Sequence, residues 1–391
     1  MSSSTPAPPR MPPDAPITLA FVMTGEVYRN SRAIKQLRTL AAAGYAIEVV
    51  HVRGEAPEVS LPAAVSVRTL RRPTAKGPLF FWQIDRLFQE ALSTLHVDIV
   101  HASDLYALGA CRRRADTLGC ALTYDAREYY PHVAGTVGKP WSRWWWQRVE
   151  GAHIRRADAV FTVSESIATA LASDYGIKKP YLVYNAPPTI PTGDAFDDPG
   201  LKVRIGTSAP VFVHLGQMKA YRGGAALIEA LTHINRVHLV FLGYGSEKER
   251  LQTLSARFAV ADRVHFLEPV PPDGIRAAIR DADAGISMLE DTCLNHRYAL
   301  PNKLFDYIHA GLPVLGADLP EIGNVLSVHD IGLTSRPDRP EQIAKTMEAM
   351  LDVDKQAHWR ANLPAASRVF TWEETSRTFL AGMTQACKRS G

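Results

Sequence analysis

The segment that decides the fold is Val211-Phe-Val-His-Leu215-Gly216-Gln-Met-Lys-Ala-Tyr-Arg222-Gly223-Gly224, within a chain of 391 residues. Its first five residues form a short apolar run typical of a buried strand, and a helical pattern follows the last glycines. Strand, glycine-rich turn and helix in this order are typical of a doubly wound parallel sheet. Glycines let the backbone approach a ligand closely, and the free N–H groups at a helix start attract phosphate.

The same alternation of apolar runs and helical segments extends in both directions from this segment, so the chain is predicted to be an α/β protein with parallel sheets covered by helices. The predicted strands are Ile17–Met23, Ala46–Val52, Val97–His101, Cys120–Tyr124, Ala159–Val163 and Tyr181–Tyr184 in the first half, then Val211–Leu215, Val237–Leu242, Val264–Leu267, Ala284–Leu289, Pro313–Gly316 and Ile331–Thr334 in the second.

A stretch rich in proline and glycine over residues 186–209 interrupts this rhythm and predicts an interdomain linker. We therefore expect two Rossmann-like domains, residues 17–185 and 210–370, and a last helix within residues 371–391. Residues 1–16 contain six prolines and predict a disordered tail. Because ligands of such sheets bind outside the carboxyl ends of the strands, the active site is expected in a cleft between the two domains.

Composition excludes several classes of protein. The net charge of +4 argues against a dedicated nucleic-acid binder, and the apolar runs are far shorter than the roughly 18 residues of a membrane helix. The four cysteines include no C-x-x-C pair, which predicts a reduced, cytoplasmic protein without a zinc site. Asp281-Ala-Asp283 has the spacing of a metal-binding pair, but its position at a helix-to-strand junction favours a cap or turn.

Two further segments of the second half point to a nucleotide. Gly243-Tyr244-Gly245 follows a strand and predicts a tight turn near a nucleotide; because position 248 is Lys, the dinucleotide fingerprint is incomplete and a nicotinamide site is disfavoured. Residues 298–314 predict a helix that begins near Pro301. A carboxylate at Asp306 on that helix is suited to the two vicinal hydroxyls of a ribose, although a solvated helix position is the alternative.

Polar residues in the first half follow consecutive strands and are expected at the same carboxyl edge. An N-cap role is the structural alternative for Asp104, and an N-cap at Asn30 is the alternative for the loop that carries Tyr28 and Arg29. The predicted acceptor-side residues are Tyr28, Arg29, His101, Asp104, Asp125, Arg127, Glu128 and His132.

The segment Lys139-Pro-Trp141-Ser-Arg143-Trp144-Trp145-Trp146-Gln-Arg148 is both aromatic and basic. Helical spacing puts Trp141, Trp144, Trp145 and Arg148 on one face. Such a face suits a membrane interface or an apolar acceptor, while a core helix is the alternative. Peripheral membrane contact through these tryptophans is therefore one hypothesis.

Together these motifs resemble the retaining GT-B glycosyltransferases of family 4. The resemblance spans nearly the whole chain after the tail and is strongest from Phe212 to Gly332; residues 154–166, 216–224, 242–245 and 299–314 carry it. It implies two Rossmann-like domains that face each other across a cleft. The second holds a nucleotide-sugar donor, the first supplies most acceptor contacts, no metal or other cofactor is required, and the last helix crosses back onto the first domain.

The resemblance also assigns roles to individual residues. Two cations of the family neutralise the donor diphosphate; Gln217 occupies the position of the first and Arg222 that of the second. One cation is thus missing, and Lys303 is our candidate to replace it. The family has two glutamates separated by seven residues: the second, which holds ribose, matches Asp306, and the first, which contacts the sugar, falls on Tyr298.

The sequence therefore predicts a metal-independent transferase that moves a sugar from a nucleotide-sugar to an unknown glycan, lipid-linked or small-molecule acceptor. Alternatives are a sugar-nucleotide epimerase and a non-catalytic nucleotide-sugar-binding subunit, the latter motivated by Gln217 and Tyr298. The predicted catalytic residues are Arg222, Lys303, Asp125 and Glu128, and the predicted donor-binding residues are Gly216, Gln217, Gly223, Gly243, Tyr244, Gly245, Tyr298, Asn302 and Asp306.

Overall fold

The structure is a computed structural model that describes residues 16–53, 60–189 and 198–390. Of the predicted tail only Pro16 falls within this range, and part of the predicted linker also lies outside it. The described residues form two parallel β-sheets.

The first sheet has seven strands in the order β3-β2-β1-β4-β5-β6-β7, so the strand order reverses between β1 and β4. Its strands are β1 Thr18–Met23, β2 Ala46–Arg53, β3 Val65–Arg71, β4 Ile99–Ala102, β5 Ala121–Ala126, β6 Ala159–Thr162 and β7 Tyr181–Leu182.

The second sheet has six strands in the order β10-β9-β8-β11-β12-β13 and reverses between β8 and β11. Its strands are β8 Val211–Leu215, β9 His238–Leu242, β10 Val264–Leu267, β11 Ala284–Ser287, β12 Val314–Ala317 and β13 Gly332–Ser335. Both strand orders are those of doubly wound α/β domains, as the sequence predicts.

Helices connect the strands of both sheets. In chain order they are α1 Ser31–Ala42, α2 Gly77–Leu92, α3 Leu105–Leu118, α4 Pro140–Ile154, α5 Glu165–Tyr175, α6 Leu201–Ile205, α7 Gly224–Ala230, α8 Lys248–Arg257, α9 Ile275–Ile279, α10 Leu294–Arg297, α11 Asn302–His309, α12 Pro320–His329, α13 Pro340–Met350, α14 Val353–Val369 and α15 Trp372–Ser390.

Contacts divide the described chain into two compact units. The first comprises the described residues of Met1–Asp125, His153–Val160 and Leu380–Gly391. The second comprises those of Ala126–Ala152 and Phe161–Phe379. Within the first unit, the interaction of Cys387 with Tyr45 involves α15; within the second, Phe379 of the same helix lies 5.0 Å from Phe161.

The side chain of Tyr307 bridges β8 and β11, the two strands between which the strand order of the second sheet reverses. β8 and β11 pair only at Phe212–Ala284 and Val213–Gly285, after which the hydroxyl of Tyr307 takes the place of further pairing. It accepts a hydrogen bond from the N–H of Leu215 at 2.9 Å, and its proton faces the carbonyl oxygens of Val213 at 3.0 Å and Ile286 at 2.9 Å.

A glycine makes room for this side chain. A Cβ atom on Gly285 would lie 2.2 Å from the ring of Tyr307, far inside van der Waals contact. Tyr307 is completely buried, so each of its three partners would lose its hydrogen bond to the hydroxyl if the oxygen were removed. The pair of Gly285 and Tyr307 thereby fixes α11 against the carboxyl ends of β8 and β11.

Tyr307→Phe is expected to lower the free energy of unfolding by about 1–3 kcal/mol, the cost of leaving buried backbone polar groups without a partner. Urea unfolding of both proteins measures this difference. Tyr181→Phe, at a half-buried position of the first sheet, is the matched control. Equal losses in the two variants would contradict the role given to the Tyr307 hydroxyl.

Candidate functional site

A cavity of about 720 Å³ lies at the carboxyl ends of β8 and β9, and every residue that lines it belongs to the second unit. Leu215 and Leu242, the last residues of these strands, form part of its floor. Its volume is in the range of small-ligand sites. The predicted site residues among its lining are Arg127, Glu128, Gly216, Gln217, Arg222, Gly243, Tyr244, Asn302, Lys303 and Asp306.

The two glycine-rich loops at this edge pack backbone against backbone. A Cβ on Gly243 would lie 2.1 Å from the carbonyl oxygen of Gly216, and one on Gly245 would lie 2.0 Å from that of Met218. The N–H of Met218 donates to the carbonyl of Tyr244 at 2.8 Å. These contacts explain the motif in structural terms, since any side chain at Gly243 or Gly245 would separate the loops.

The loop after β8 brings Arg222 to the cavity. Tyr221 adopts a left-handed backbone conformation with φ of 65°, which is strained for a non-glycine residue, and its carbonyl accepts a hydrogen bond from the N–H of Glu290 at 3.0 Å. Gly223 lies behind the loop, where a Cβ would meet Met288 at 2.7 Å. Among the described lining residues, neither Gly223 nor Gly245 occurs.

Glu128 and Arg222 attract each other across the cavity wall. Burial raises the pKa of Glu128 above its usual value, and the positive charges of Arg127, Arg222 and Lys219 oppose that rise. Burial also lowers the pKa of Arg222, an effect that Glu128 opposes. The site thus combines a guanidinium with a carboxylate that is open to the cavity.

Lys303 adds a third basic side chain to the cavity, beside Arg127 and Arg222. Its Nζ lies 2.9 Å from Nε2 of His214, a residue of β8 that is only 1% exposed. Burial and the charge of Arg222 lower the pKa of Lys303 to about 7, while Asp306 acts in the opposite direction. Burial and Lys303 keep the pKa of His214 well below its usual value, so this imidazole is neutral.

The start of α11 completes this side of the cavity. Pro301 precedes the helix, and Asn302, Lys303 and Asp306 on its first turns all line the cavity. Leu304 and Ile308 of the same helix are buried in the core instead. Backbone N–H groups at a helix start carry partial positive charge, so this end of α11 is suited to an anion.

Sequence reasoning missed three polar residues of the cavity, Asn185, Asn295 and His296, of which the last two lie on the short helix α10. His296 Nδ1 lies 2.7 Å from the hydroxyl oxygen of Thr292. The position of Asn295 and His296 just after β11, at the carboxyl edge, was the available signal. Tyr298 stacks on Tyr129 with ring centroids 6.2 Å apart and does not occur among the described lining residues.

Asp125, which the sequence predicts to be catalytic, is a fully buried residue of the first unit. Its two carboxylate oxygens accept hydrogen bonds from Arg32 Nε and Nη2, each at 2.7 Å, and one also accepts from Gln36 at 2.9 Å. A bidentate pair with a buried arginine is a strong positioning interaction. In this arrangement the carboxylate has no surface to offer an acceptor.

The other acceptor-side predictions in the first unit have structural partners. Asp104 caps α3 by accepting from the N–H of Ala107 at 3.1 Å, and Asn30 caps α1, which confirms both N-cap interpretations. His101 is fully buried, with its Nδ1 2.8 Å from the hydroxyl of Thr123. Their acceptor roles stay predictions.

Tyr28 and Arg29 lie closer to the surface. Tyr28 is half-buried with its ring edge against His51, and Arg29 is exposed beside Glu26 at 3.4 Å. In the second unit, His132 stacks on Tyr129 with centroids 4.4 Å apart, and burial lowers its pKa. The acceptor roles of these three side chains stay predictions.

The tryptophan segment forms α4, and its aromatic face is open to solvent. Trp141 is 77% exposed and Trp144 is 49% exposed, whereas Trp145 is half-buried. The guanidinium of Arg148 lies over the ring of Trp144, 5.1 Å from its centroid. The core-helix alternative therefore does not apply to Trp141 and Trp144.

Asp281 and Asp283 bind backbone N–H groups of distant segments rather than those of their own helix-to-strand junction. Asp281 accepts from the N–H groups of Leu201 and Lys202 at the start of α6, and Asp283 accepts from that of Val211. Across residues 16–53, 60–189 and 198–390, no group of three or more His, Cys, Asp or Glu side chains is arranged to hold a metal ion. Nor does any helix in these ranges combine the length and apolarity that crossing a bilayer requires.

Comparison with known families agrees with this architecture. Residues 31–188 match the family described as Glycosyltransferase Family 4, and residues 209–353 match Glycosyl transferases group 1. The chain belongs to the family 4 (group 1) glycosyltransferases. A curated relative of this family 4 chain, D-inositol 3-phosphate glycosyltransferase of Xylanimonas cellulosilytica, is 28% identical over 217 residues. That match covers 52% of this chain and about half, 49%, of the relative's length.

Solved structures share the GT-B fold of this family 4 chain. Sucrose-phosphate synthase from Thermosynechococcus elongatus has a TM-score of 0.75 at 15% identity, covering 95% of this chain and 100% of that one. A glycosyltransferase from Rickettsia africae has a TM-score of 0.71 at 13% identity, with 95% and 99% covered. Anabaena HepE in complex with UDP has a TM-score of 0.69 at 15% identity, with 94% and 99% covered.

Lys303→Met is expected to change how the stability of this family 4 chain depends on pH. The lysine has its usual pKa of 10.5 in the unfolded chain and about 7 in the folded one. Between these values the unfolded state holds a proton that the folded state lacks, so raising the pH favours folding by at most about 1.4 kcal/mol per pH unit. The methionine variant lacks this contribution.

Urea unfolding at several pH values between about 7 and 9.5 tests this expectation. The wild type should gain stability relative to Lys303→Met as the pH rises, and Lys345→Met on the exposed face of α13 should track the wild type. A stability difference that stays constant across this window would show that Lys303 is charged throughout.

Proposed function

We propose that the protein transfers a glycosyl group from a nucleotide-sugar donor to an acceptor hydroxyl, with retention of anomeric configuration. The observation that carries the proposal is the cavity of the second unit, which is lined by Arg222, by Lys303 and by the start of α11. Positive side chains and the N-terminus of a helix around one cavity are suited to a diphosphate. The UDP bound to the structurally similar HepE supports a nucleotide at such a site.

In this proposal Arg222 and Lys303 bind the diphosphate, and the lysine takes the place of the cation that is absent at Gln217. Gln217 itself lies at the rim, where its Nε2 donates to the hydroxyl of Tyr244 at 3.1 Å. We assign ribose binding to Asp306 and Asn302, which line the cavity on the first turns of α11. The two cations carry the charge of the diphosphate, so the proposed reaction uses no metal ion and no other cofactor.

The proposed chemistry breaks the bond between the anomeric carbon and the diphosphate oxygen. Arg222 and Lys303 stabilise the negative charge that develops on the departing diphosphate. The acceptor oxygen forms its bond to the anomeric carbon on the same face, and the proton of its hydroxyl passes to a diphosphate oxygen. This course follows the resemblance to retaining enzymes of the family.

On the acceptor side, Glu128 is the carboxylate best placed to orient the attacking hydroxyl, because it opens into the cavity beside Arg127. His132 lies farther along the same segment. Asp125 is buried against Arg32, so we assign it a positioning role within the first unit. The class of acceptor stays open between glycan, lipid-linked carrier and small molecule.

We further propose that α4 rests on an anionic lipid surface. Trp141 and Trp144 are exposed, and Lys139, Arg143 and Arg148 lie beside them in a segment, residues 133–149, that contains no Asp or Glu. Amphipathic aromatic rings next to cations suit a lipid headgroup region. Four free cysteines fit a reducing compartment, so we place this contact on the cytoplasmic face.

Arg222→Ala is expected to lower turnover by about 10²–10³-fold, because it removes a cation that stabilises the leaving diphosphate. The assay is release of nucleoside diphosphate from UDP-, GDP- and ADP-sugars in the presence of an acceptor panel. Arg250→Ala, an exposed arginine of α8, is the matched control and should retain wild-type turnover.

Three outcomes would contradict the proposed function. Near-normal turnover of Arg222→Ala would remove the assignment of the diphosphate site. Isomerisation of the donor sugar without an acceptor would point to an epimerase. Tight nucleotide binding with no turnover on the whole panel would point to a binding subunit.

Replacing both Trp141 and Trp144 by Ser is expected to reduce binding to vesicles that contain phosphatidylglycerol by about tenfold or more, since two exposed apolar rings leave the interface. Vesicle sedimentation measures the bound fraction. Replacing the exposed Leu79 and Trp82 of α2 by Ser is the control for loss of apolar surface elsewhere. Equal binding by the wild type and the Trp141/Trp144 variant would contradict the lipid contact.

A further inference from the structure

The pair of Lys303 and His214 is an unusual feature of the proposed diphosphate site. A lysine ammonium needs acceptors, and Nε2 of a neutral imidazole supplies one at 2.9 Å. For Nε2 to accept, the single proton of the imidazole must sit on Nδ1. His214 is held in the core by the strand β8 and by the ring of Phe241, whose centroid lies 5.3 Å away.

The surroundings of this pair hold charges of both signs. Arg222, from the loop after β8, opposes a positive charge on Lys303, and Asp306, one turn farther along α11, favours it. Glu128 acts on the same group of charges through Arg222, and His296 on α10 is also affected by Arg222. The charge of Arg222 and burial therefore both disfavour a proton on Lys303.

An incoming diphosphate reverses this balance. It places at least two negative charges beside Arg222 and Lys303, and an opposite charge within a few ångströms favours the protonated form of an amine. The lysine amine then takes one proton from solvent, forming one N–H bond, and the resulting ammonium keeps its hydrogen bond to His214. Binding of the diphosphate therefore produces the positive charge on Lys303 that stabilises the bound diphosphate.

We propose that donor binding is coupled to the uptake of a proton at Lys303, and that Lys303 and His214 act together in accepting it. In this pair His214 is the positioning residue, which holds the lysine amine in place by a hydrogen bond. This inference rests on the proposed function, because it assumes that the cavity binds a nucleoside diphosphate. It goes beyond that function by linking donor affinity to pH through two named residues.

The sign of the pH effect follows from the free protein. Below about pH 7 Lys303 is already charged and binding needs no proton, whereas above it each bound diphosphate must bring one proton with it. Donor affinity is therefore highest at low pH and falls as the pH rises. Since one pH unit beyond the pKa corresponds to a tenfold change, we expect at least a tenfold loss of affinity between about pH 7 and 9.

The first experiment is calorimetric titration of the full chain with UDP, GDP and ADP at about pH 6.5. The nucleotide that binds most tightly is then titrated at about pH 8 in two buffers of different ionisation enthalpy, which measures the number of protons taken up on binding. A pKa of about 7 predicts uptake of close to one proton per bound nucleotide at pH 8. Lys303→Arg keeps a permanent positive charge, so it should bind the nucleotide without proton uptake at position 303. Any proton uptake that remains in this variant measures the ionisation of the nucleotide itself.

Two variants of His214 separate its proposed role from simple packing. His214→Gln keeps an acceptor for the ammonium and should retain the pH profile of the wild type. His214→Leu packs in the apolar core but offers no acceptor, so it should weaken binding about tenfold at pH 7 and move the fall in affinity to lower pH. Lys345→Met should leave the proton uptake unchanged, and urea unfolding confirms that each variant is folded.

The outcomes divide cleanly. Nucleotide binding with an affinity that does not change between pH 7 and 9 and with no proton uptake overturns this inference and leaves the proposed function standing. An unchanged profile in His214→Leu overturns the role of His214. Absence of binding by all three nucleotides at pH 6.5 overturns the proposed donor site and this inference with it.

Discussion

The hydrogen bonds of the Tyr307 hydroxyl are the constraint on which the rest of the second unit depends. They replace strand pairing where β8 and β11 separate, so the sheet opens there without leaving buried backbone groups unpaired. The opening is where the cavity lies. Because Tyr307 belongs to α11, the same interaction sets the position of Lys303 and Asp306 against the loop after β8. The side chain of Tyr307 therefore determines both the opening between β8 and β11 and the position of the cavity residues on α11.

The fold was largely predictable from the sequence because its strands are short apolar runs in regular alternation with helices. The predictions failed where this signal fades: β3, Val65–Arg71, alternates half-buried and exposed residues at the edge of the sheet, and Val65, Val67 and Leu70 alone do not form a continuous apolar run. The short helix α6 was also missed, because it lies in a proline- and glycine-rich stretch whose helical bonds depend on Asp281, 80 residues away.

The cavity was partly predictable, since ten of the predicted site residues line it. The sequence did not show which polar side chains face the cavity. Tyr298 occupies the position of a family glutamate, yet it stacks on Tyr129, while His296, two residues earlier, faces the cavity. Likewise a carboxylate such as Asp125 reads as chemically active until its partner Arg32, 93 positions distant, is known. Both outcomes depend on tertiary contacts that local spacing does not encode.

The interlocked glycine loops have a consequence for how this enzyme family can diversify. The glycines of residues 216–218 and 243–245 bring backbone against backbone, and the side chains of Gln217 and Tyr244 hydrogen-bond to each other at the rim of the cavity. The glycines that pack the two loops together and the side chains at the rim of the cavity are therefore different residues of the same loops. Under the proposed function, exchange of these two side chains changes the groups that meet the nucleotide while the glycines hold the chain in place, so the rim is the natural starting point for redesign.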